Sequence, residues 1–139
     1  VAFQRQPVNA SQRSELKGAL VDASRSERTR GEFAPFEELV TVRTVGSIAY
    51  KLARVAAGQA DATWSRGPKN EWDICAGTFL VQESGGRCVD LDGSLLRFNQ
   101  PYPKANGVVA AGPTLFAAVM TLIDQHGPAR ADSPAPAEA

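Results

Sequence analysis

The chain has 139 residues, of which 43% are hydrophobic and 22% charged, a composition typical of one soluble globular domain with its own core. Its 15 Lys and Arg residues balance 15 Asp and Glu residues, so no overall field attracts nucleic acid or an acidic membrane surface. No apolar stretch approaches the ~20 residues that cross a bilayer, and the N-terminus has no charged region followed by an apolar one. We therefore expect a cytoplasmic protein that binds neither nucleic acid nor membrane.

Strand and helix signals alternate from the start of the chain. Short apolar or β-branched runs predict strands, and they occupy residues 1–8, 15–24, 40–45, 59–64, 87–93 and 106–112. Apolar residues at helical spacing predict helices at 47–58, 70–86 and 113–127. Residues 25–39 carry many charges together with Gly31 and Pro35, which predicts a loop with one helical turn.

Each predicted helix has recognisable ends. Ser47 is a natural N-cap and Gly58 a natural stop for the first, and Gly85-Gly86 closes the second. Pro113 is predicted to lie at or near the first helical position of the third. One face of the second helix is predicted to hold Trp72, Ala76, Phe79, Leu80 and Glu83, and one face of the third Phe116, Val119, Met120 and Ile123.

This interleaving predicts an α/β protein with a mixed β-sheet and helices packed on it. We expect one domain at residues 1–127. Residues 128–139 are rich in Pro and Ala and cannot bury enough apolar area to offset the entropy of ordering, so this tail is predicted to be disordered.

The cysteines and the single histidine carry little chemistry. Cys75 and Cys88 lie in a helix pattern and a strand pattern at a spacing that fits no metal site, and both are predicted to be small buried residues, with a disulfide as the alternative. His126 is the only histidine, which disfavours a histidine-based nucleophile relay.

Gly46 and Ser47 lie where a predicted strand gives way to a helix. The free N–H groups and partial positive charge of a helix start attract phosphate. Gly46 would let a ligand approach the backbone, and the Ser47 hydroxyl could donate to it. The alternative is that Gly46 only permits a tight turn and Ser47 only caps the helix.

Asp73 follows Asn70, Glu71 and Trp72 in the first turn of the second helix. A carboxylate there interacts with the helix dipole by roughly 0.3–1 kcal/mol, so it needs no further role. Burial of Trp72, however, would hold Asp73 stiffly, and a stiff carboxylate suits Mg²⁺, which demands near-octahedral oxygen ligands. Both interpretations stay open on the residues alone.

The run "EWDICAGTFLVQESGG" resembles the second signature of the inositol monophosphatase family of Mg²⁺-dependent, lithium-sensitive phosphatases, a W-D pair followed by an apolar helix that ends in E-[AS]-G-G. "VGSIAYKLARVAAGQADATW", "RCVDLDGSLLRFN" and "GVVAAGPTLF" are similar to other segments of that family. The resemblance covers about residues 16–126 and implies the C-terminal half of a layered α/β sandwich. Cys75 stands where Ala is commoner.

The resemblance implies roles for the matching residues. Asp73 corresponds to the Asp of W-D, which binds catalytic Mg²⁺ in the family, and its carboxyl group is expected to face a pocket shared with the cation. Gly46 and Ser47 correspond to a segment that lines the substrate site. The implied reaction is hydrolysis of a small phosphorylated metabolite by metal-activated water, without a covalent intermediate.

A large part of the family pattern is missing. Its first signature, D-P-[IL]-D-G-T, supplies most metal ligands and does not occur in this sequence. One carboxylate cannot hold the Mg²⁺ cluster. We therefore expect the isolated chain to be inactive and to need the N-terminal half of the same phosphatase as a partner. The resemblance also makes a homodimer a state to test.

Two substrate classes stay open, inositol or sugar monophosphates and 3′-phosphoadenosine 5′-phosphate. Lys51 has a spacing from Gly46 similar to that of a Lys in the bisphosphate nucleotidase branch, although an exposed Lys on a helix is ordinarily solvated. "ASRSE" is similar to the S-R-S-H stretch of that branch, with Glu27 in place of its His, and Arg25 is equally interpretable as a surface charge. Arg66 and Lys69 could meet a second phosphate or only be solvated.

A different class of function is a degenerate, non-catalytic α/β interaction domain. It predicts no Mg²⁺-dependent hydrolysis even when a family-like N-terminal half is present. Nucleic-acid binding is disfavoured by the zero net charge and the lack of a basic and aromatic stripe.

Overall fold

The computed structural model describes residues 2–126. Its strands are β1 (Ala2–Phe3), β2 (Gln6–Pro7), β3 (Leu20–Ala23), β4 (Thr41–Thr44), β5 (Ala62–Ser65), β6 (Lys69–Asn70), β7 (Arg87–Val89), β8 (Lys104–Ala105) and β9 (Val108–Ala111). Its helices are α1 (Arg25–Thr29), α2 (Ile48–Ala56), α3 (Glu71–Glu83) and α4 (Phe116–Gln125), with a 3-10 turn at Ala34–Phe36. None of the helices within these residues has the length and apolar character that a membrane span requires. The predicted tail at 128–139 lies outside the described residues.

Five strands form a mixed sheet in the order β4-β3-β5-β9-β7. β3 pairs in parallel with β4 and β5, whereas β9 pairs antiparallel with β5 and β7, so β7 points the same way as the three parallel strands. The predicted α/β class with a mixed sheet is confirmed. The single strand predicted at 1–8 is wrong, because β1 and β2 form a separate hairpin around Gln4 and Arg5, both at positive φ.

The connections between strands fix the direction of two helices. α2 joins β4 to β5 and α3 joins β5 to β7, and each pair of strands points the same way. A helix that connects parallel strands must run back along the sheet, antiparallel to them. α2 and α3 are therefore roughly parallel to each other, and both begin at the edge of the sheet where β3, β4 and β5 end.

Both faces of the sheet are covered. α2 and α3 cover one face through a cluster that includes Leu52, Val55, Ile74, Val81, Cys88, Val108 and Ala110. α4 and residues 33–36 cover the other face, where the rings of Phe33 and Trp64 stack with centroids 5.2 Å apart. Burying a side chain of this size contributes roughly 1.5–3 kcal/mol to stability.

The predicted ends of the helices are largely confirmed. Ser47 caps α2, whose last helical residue is Ala56, and Gly58 follows at a φ of +73°. In α4 the predicted stripe faces the core, with Val119 and Ile123 buried. Pro113, however, is not the first helical residue, because residues 113–115 form a turn and α4 begins at Phe116.

The predicted core face of α3 is wrong. Its buried residues are Glu71, Ile74, Gly77, Thr78 and Val81. The side chains of Trp72 and Phe79 are instead 70% and 59% exposed. The helix carries apolar residues on two opposite sides, and its periodicity alone does not tell which side faces the sheet.

The two cysteines differ in environment. Cys88 is buried on β7, as predicted, and burial raises the pKa of its thiol to about 11. Cys75 is exposed, so its predicted burial is wrong, since it lies on the side of α3 that faces away from the sheet. Both thiols are free, and the disulfide alternative is also wrong.

Candidate functional site

The candidate site lies at the edge of the sheet where the parallel strands end. β3 leads into Ser24 and α1, β4 leads into Gly46 and Ser47 before α2, and β5 ends at Ser65. α3 begins at the same edge, with Asp73 in its first turn. This arrangement follows from the strand directions, and it points two parallel helix N-termini toward one region. Ligands of open α/β sheets bind at such an edge.

Ser47 has an unusual backbone. Its φ of +68° and ψ of +118° are sparsely populated by residues with a side chain, and its Oγ accepts the Tyr50 amide at 3.2 Å. Gly46, by contrast, has no positive φ, and a Cβ added to it would meet no atom within 4 Å. The strained backbone of this turn is therefore at Ser47 rather than at Gly46. The space beside Gly46 suits the close approach of a ligand.

Asp73 is exposed at the start of α3. Its Oδ2 accepts a long hydrogen bond of 3.4 Å from Asn70 Nδ2. The expectation that a buried Trp72 holds this carboxyl group stiffly is wrong, because Trp72 is 70% exposed. Among residues 2–126, none covers the carboxyl group of Asp73, which is accessible from outside the first turn of α3.

Glu71, two residues earlier, has a different role. It is 8% exposed, and its two carboxylate oxygens accept the backbone N–H groups of Asn99 and Gln100 at 2.6 and 3.2 Å. Glu71 therefore fastens the loop that approaches β8 onto the start of α3. The sequence alone does not reveal this role, because a contact to residues 28 and 29 positions later leaves no periodic signal.

Lys51 is buried, with 3% of its surface exposed, so the solvated alternative for this side chain is wrong. It lies one turn into α2 and faces the sheet edge, where burial lowers the pKa of its ammonium group and the nearby Glu27 carboxylate opposes that shift. The charge of Lys69 also acts on it, in the direction that lowers the pKa. Lys51 and Lys69 therefore share this region.

Glu27 and Ser65 form a polar network beside Lys51. Glu27 is 4% exposed, and its carboxylate accepts hydrogen bonds from Ser24 Oγ at 2.6 Å and from Ser65 Oγ. Ser65 was not among the site residues predicted from the sequence. Its position as the last residue of β5 is the signal that could have identified it.

A buried ion pair lies behind this network. Asp22 of β3 is fully buried, and its Oδ2 accepts Arg54 Nε of α2 at 2.6 Å, while Arg43 Nε lies 3.7 Å from its Oδ1. Burial raises the pKa of the Asp22 carboxyl group, and the Arg54 hydrogen bond partly offsets the rise. This pair fixes α2 against the sheet directly behind Lys51.

Two of the other candidate cations do not join the network. Arg25 is exposed on α1. Arg66 lies on the α4 side, where its NH2 group donates to the Ile123 carbonyl at 3.5 Å and it lines a cavity of about 160 Å³ with Phe36 and His126. Among the sequence-based candidates, Lys51 and Lys69 are thus the cations at this edge, and Lys51 is the buried one.

The described residues do not complete a Mg²⁺ site. No group of three or more His, Cys, Asp or Glu side chains in residues 2–126 is arranged to hold a metal ion. Asp73 offers one exposed carboxylate of the hard-oxygen type that Mg²⁺ prefers. The chemistry of this ligand fits Mg²⁺, but the number of ligands does not.

The five-stranded mixed sheet with helices on both faces and two helix starts at a single edge defines the class, an α/β domain of layered architecture. The profile of the inositol monophosphatase family matches residues 3–127, and the chain belongs to that family. The resemblance seen in the W-D segment is thereby confirmed.

Individual relatives show how much of the family fold the chain contains. It is 39% identical over 87 residues to the Nus factor SuhB of Pseudomonas aeruginosa, covering 63% of this chain and 30% of the relative. It is 43% identical over 58 residues to the inositol-1-monophosphatase of Caulobacter vibrioides, covering 42% of this chain and 22% of that protein. The solved inositol monophosphatase from Anabaena aligns with a TM-score of 0.72 at 28% identity, covering 88% of this chain and 51% of that one. The chain thus spans about half of that structure.

Proposed function

We propose that this chain is the C-terminal half of a Mg²⁺-dependent phosphomonoesterase that hydrolyses a small phosphorylated metabolite. The observation that carries the proposal is the convergence of Ser47, at the start of α2, and Asp73, at the start of α3, on one sheet edge of an inositol monophosphatase family member. A phosphate needs donors and positive charge, and a helix N-terminus supplies both.

Each residue has a role in the proposed site. The backbone N–H groups after Gly46 bind phosphate oxygens, and the Ser47 hydroxyl, already fixed by the Tyr50 amide, helps to align them. Asp73 provides one ligand to Mg²⁺. A cation bound there would neutralise phosphate charge and lower the pKa of a bound water molecule. The ammonium group of the buried Lys51 contributes positive charge deeper in the site.

The remaining metal ligands must come from outside residues 2–126, because the described residues supply only Asp73. We assign them to the N-terminal half of the family fold, since the chain covers 51% of the Anabaena structure. The 139-residue chain by itself is then inactive, and the completed protein is the enzyme.

The charges at the edge favour a monophosphate as substrate. Glu27 is a buried carboxylate near Lys51, and Asp22 is already paired with Arg54. A second phosphate group placed here would face the negative charge of Glu27, whereas the hydroxyl groups of an inositol or sugar can donate to it. Between the two substrate classes, the polyol monophosphate fits better than 3′-phosphoadenosine 5′-phosphate.

The test uses residues 1–139 fused to the N-terminal half of the Anabaena inositol monophosphatase. We expect Mg²⁺-dependent release of phosphate from inositol 1-phosphate, and Asp73→Asn should abolish it while circular dichroism stays unchanged. Asp124→Asn, an exposed carboxylate on α4, is the matched control and should keep full activity. Unchanged hydrolysis in Asp73→Asn would contradict the assignment of Asp73 as a metal ligand.

The alternative is a non-catalytic interaction domain. It is favoured by one observation, the name Nus factor SuhB carried by the Pseudomonas relative, which is not the name of an enzyme. This alternative predicts no Mg²⁺-dependent release of phosphate by the fused protein at any substrate concentration, with Asp73→Asn indistinguishable from the parent.

A further inference from the structure

We infer that Lys69, presented by the two-stranded ribbon of β6 and β8, binds the phosphate group of the substrate together with Lys51. This inference deepens the proposed function and rests on it, because it takes the ligand at the start of α2 to be a phosphate ester. It adds a second cation to the site and the structural element that carries it.

The ribbon gives the side chain of Lys69 a definite direction. Lys69 of β6 pairs with Ala105 of β8 in an antiparallel ladder, and Lys104 is the preceding residue of β8. Residues directly opposite each other in such a ladder point to the same face, and successive residues point to opposite faces. Ala105 packs against the apolar cluster beside Ile48, the first residue of α2. Lys69 therefore points toward the start of α2, and Lys104 points away from it.

The ribbon is also fixed in place. The Glu71 amide donates to the Pro103 carbonyl at 3.0 Å, next to β8. The Glu71 carboxylate accepts the backbone N–H groups of Asn99 and Gln100. The ribbon is thus fastened to the start of α3 by the residue that follows β6. A cation on such a fixed backbone loses less conformational freedom on binding than one that must first be ordered.

The two lysines bring positive charge together without a paired anion. Lys51 is 3% exposed and Lys69 is half-buried. Within residues 2–126, neither ammonium group forms a salt bridge. Burial lowers the pKa of Lys51 most, and the charge of Lys69 acts in the same direction, so the two cations are close enough to repel each other. Buried charges in proteins are normally paired, which indicates that an anion binds between them.

Glu27 does not replace that anion. Its carboxylate accepts the hydroxyl groups of Ser24 and Ser65, and its single negative charge faces two positive ones. Asp22 is engaged with Arg54. A phosphate monoester carries about −1.5 to −2 charge near neutral pH and offers several acceptor oxygens. It can therefore accept charge-assisted hydrogen bonds from both lysines at once.

The first test is the binding of inorganic phosphate to the 139-residue chain without Mg²⁺. The sequence contains four lysines, Lys17, Lys51, Lys69 and Lys104, so their side-chain NMR signals can be assigned by substitution. Lys17 precedes β3 at the opposite edge of the sheet, and Lys104 is exposed on the other face of the ribbon. These two lysines are the internal controls.

We expect the signals of Lys51 and Lys69 to shift along one saturable curve as phosphate is added, while those of Lys17 and Lys104 stay in place. An equal drift of all four signals would indicate general screening by salt and would overturn the inference. Saturation at Lys51 alone, or no saturable shift at either lysine, would overturn it as well.

The second test measures KM for inositol 1-phosphate in the protein fused to the N-terminal half of the Anabaena enzyme. Lys69→Gln removes one hydrogen bond to a charged group, so KM should rise about tenfold while kcat changes little. Lys69→Arg keeps the charge and should restore most of the loss. Lys104→Gln, on the opposite face of the same ribbon, is the matched control and should keep the KM of the parent. Equal KM values for Lys69→Gln and Lys104→Gln would overturn the inference.

The two tests also separate this inference from the proposed function. A saturable shift of both lysines in a chain whose fusion releases no phosphate supports the lysine site and contradicts the enzyme. Release of phosphate with an unchanged KM in Lys69→Gln supports the enzyme and contradicts the role of Lys69.

Discussion

Gly77 of α3 lies directly against Leu52 of α2, so closely that a Cβ added to Gly77 would stand 2.7 Å from both Leu52 Cβ and Leu52 Cδ1. The two helices meet here, one turn after Asp73 and after Ile48 respectively. The missing side chain at Gly77 thus sets how near the starts of α2 and α3 can come. The same close approach brings Ser47 and Asp73 to one region of the sheet edge.

Replacing Gly77 with alanine should therefore destabilise the protein. Overpacking against the buried Leu52 costs about 1–3 kcal/mol, and the better helix propensity of alanine returns about 1 kcal/mol. We expect a net loss of up to about 2 kcal/mol in the free energy of unfolding, measured by urea titration. Gly46→Ala is the matched control, because a Cβ there meets no atom within 4 Å, and it should leave stability unchanged. Equal stability of the two variants would show that α2 and α3 are not in close contact at Gly77.

The strained Ser47 backbone predicts opposite effects of two substitutions. A non-glycine residue in such a conformation costs about 1–3 kcal/mol, whereas glycine loses only a few tenths as an N-cap. Ser47→Gly should therefore raise the free energy of unfolding by about 1 kcal/mol, after allowance for the greater unfolded-state freedom of glycine. Ser47→Ala keeps the strain and loses the hydrogen bond from the Tyr50 amide, so it should lower stability by about 1 kcal/mol. Thermal unfolding that ranks alanine above glycine would contradict the strained conformation.

Local signals predicted much of the fold and part of the site. The change from a β-branched run to helical spacing located α2 and its cap Ser47, and the double glycine located the end of α3. These features depend on neighbouring residues, so the sequence displays them directly. The sheet order could not be read in the same way, because pairing of β5 with β9 joins residues far apart in the chain.

The misses have a common physical origin, which is that burial depends on what covers a residue. Trp72 was expected inside and is exposed, whereas Lys51 was open to a solvated interpretation and is buried. The charges of Glu27 and Asp22 act on Lys51 from α1 and β3, and no spacing within α2 predicts these neighbours. Trp72 is exposed because α3 turns its Ile74 and Val81 side toward the sheet, and the hydrophobicity of Trp72 alone does not indicate that orientation.

The buried Asp22 makes stability depend on pH in a defined direction. Burial raises its pKa above the ordinary value of 3.8, so the native carboxyl group binds its proton more tightly than the unfolded one. Its contribution to stability is then full below pH 3.8 and is lost as the pH rises through the native pKa. Asp22→Asn removes this loss, so its stability relative to the parent should improve steadily from about pH 4 upward.

Urea unfolding of Asp22→Asn and parent at several pH values checks this trend. The free energy of unfolding of Asp22→Asn is also lowered at every pH, because Arg54 loses its charged partner. Only the change with pH of the stability difference between variant and parent therefore tests the raised pKa. Asp124→Asn, on an exposed carboxylate, should show a difference from the parent that does not vary with pH. A flat difference for Asp22→Asn would contradict the raised pKa.

The charge of Glu27 is expected to discriminate between substrates in the fused protein. Glu27→Gln keeps one acceptor oxygen for the hydroxyl groups of Ser24 and Ser65 but removes the negative charge beside Lys51. The ratio of kcat/KM for 3′-phosphoadenosine 5′-phosphate to that for inositol 1-phosphate should rise about tenfold, corresponding to about 1.4 kcal/mol. Glu38→Gln, on an exposed residue before β4, is the matched control and should leave the ratio unchanged. An unchanged ratio in Glu27→Gln would mean that the second phosphate does not approach this carboxylate, and the preference for a polyol monophosphate would lose its electrostatic basis.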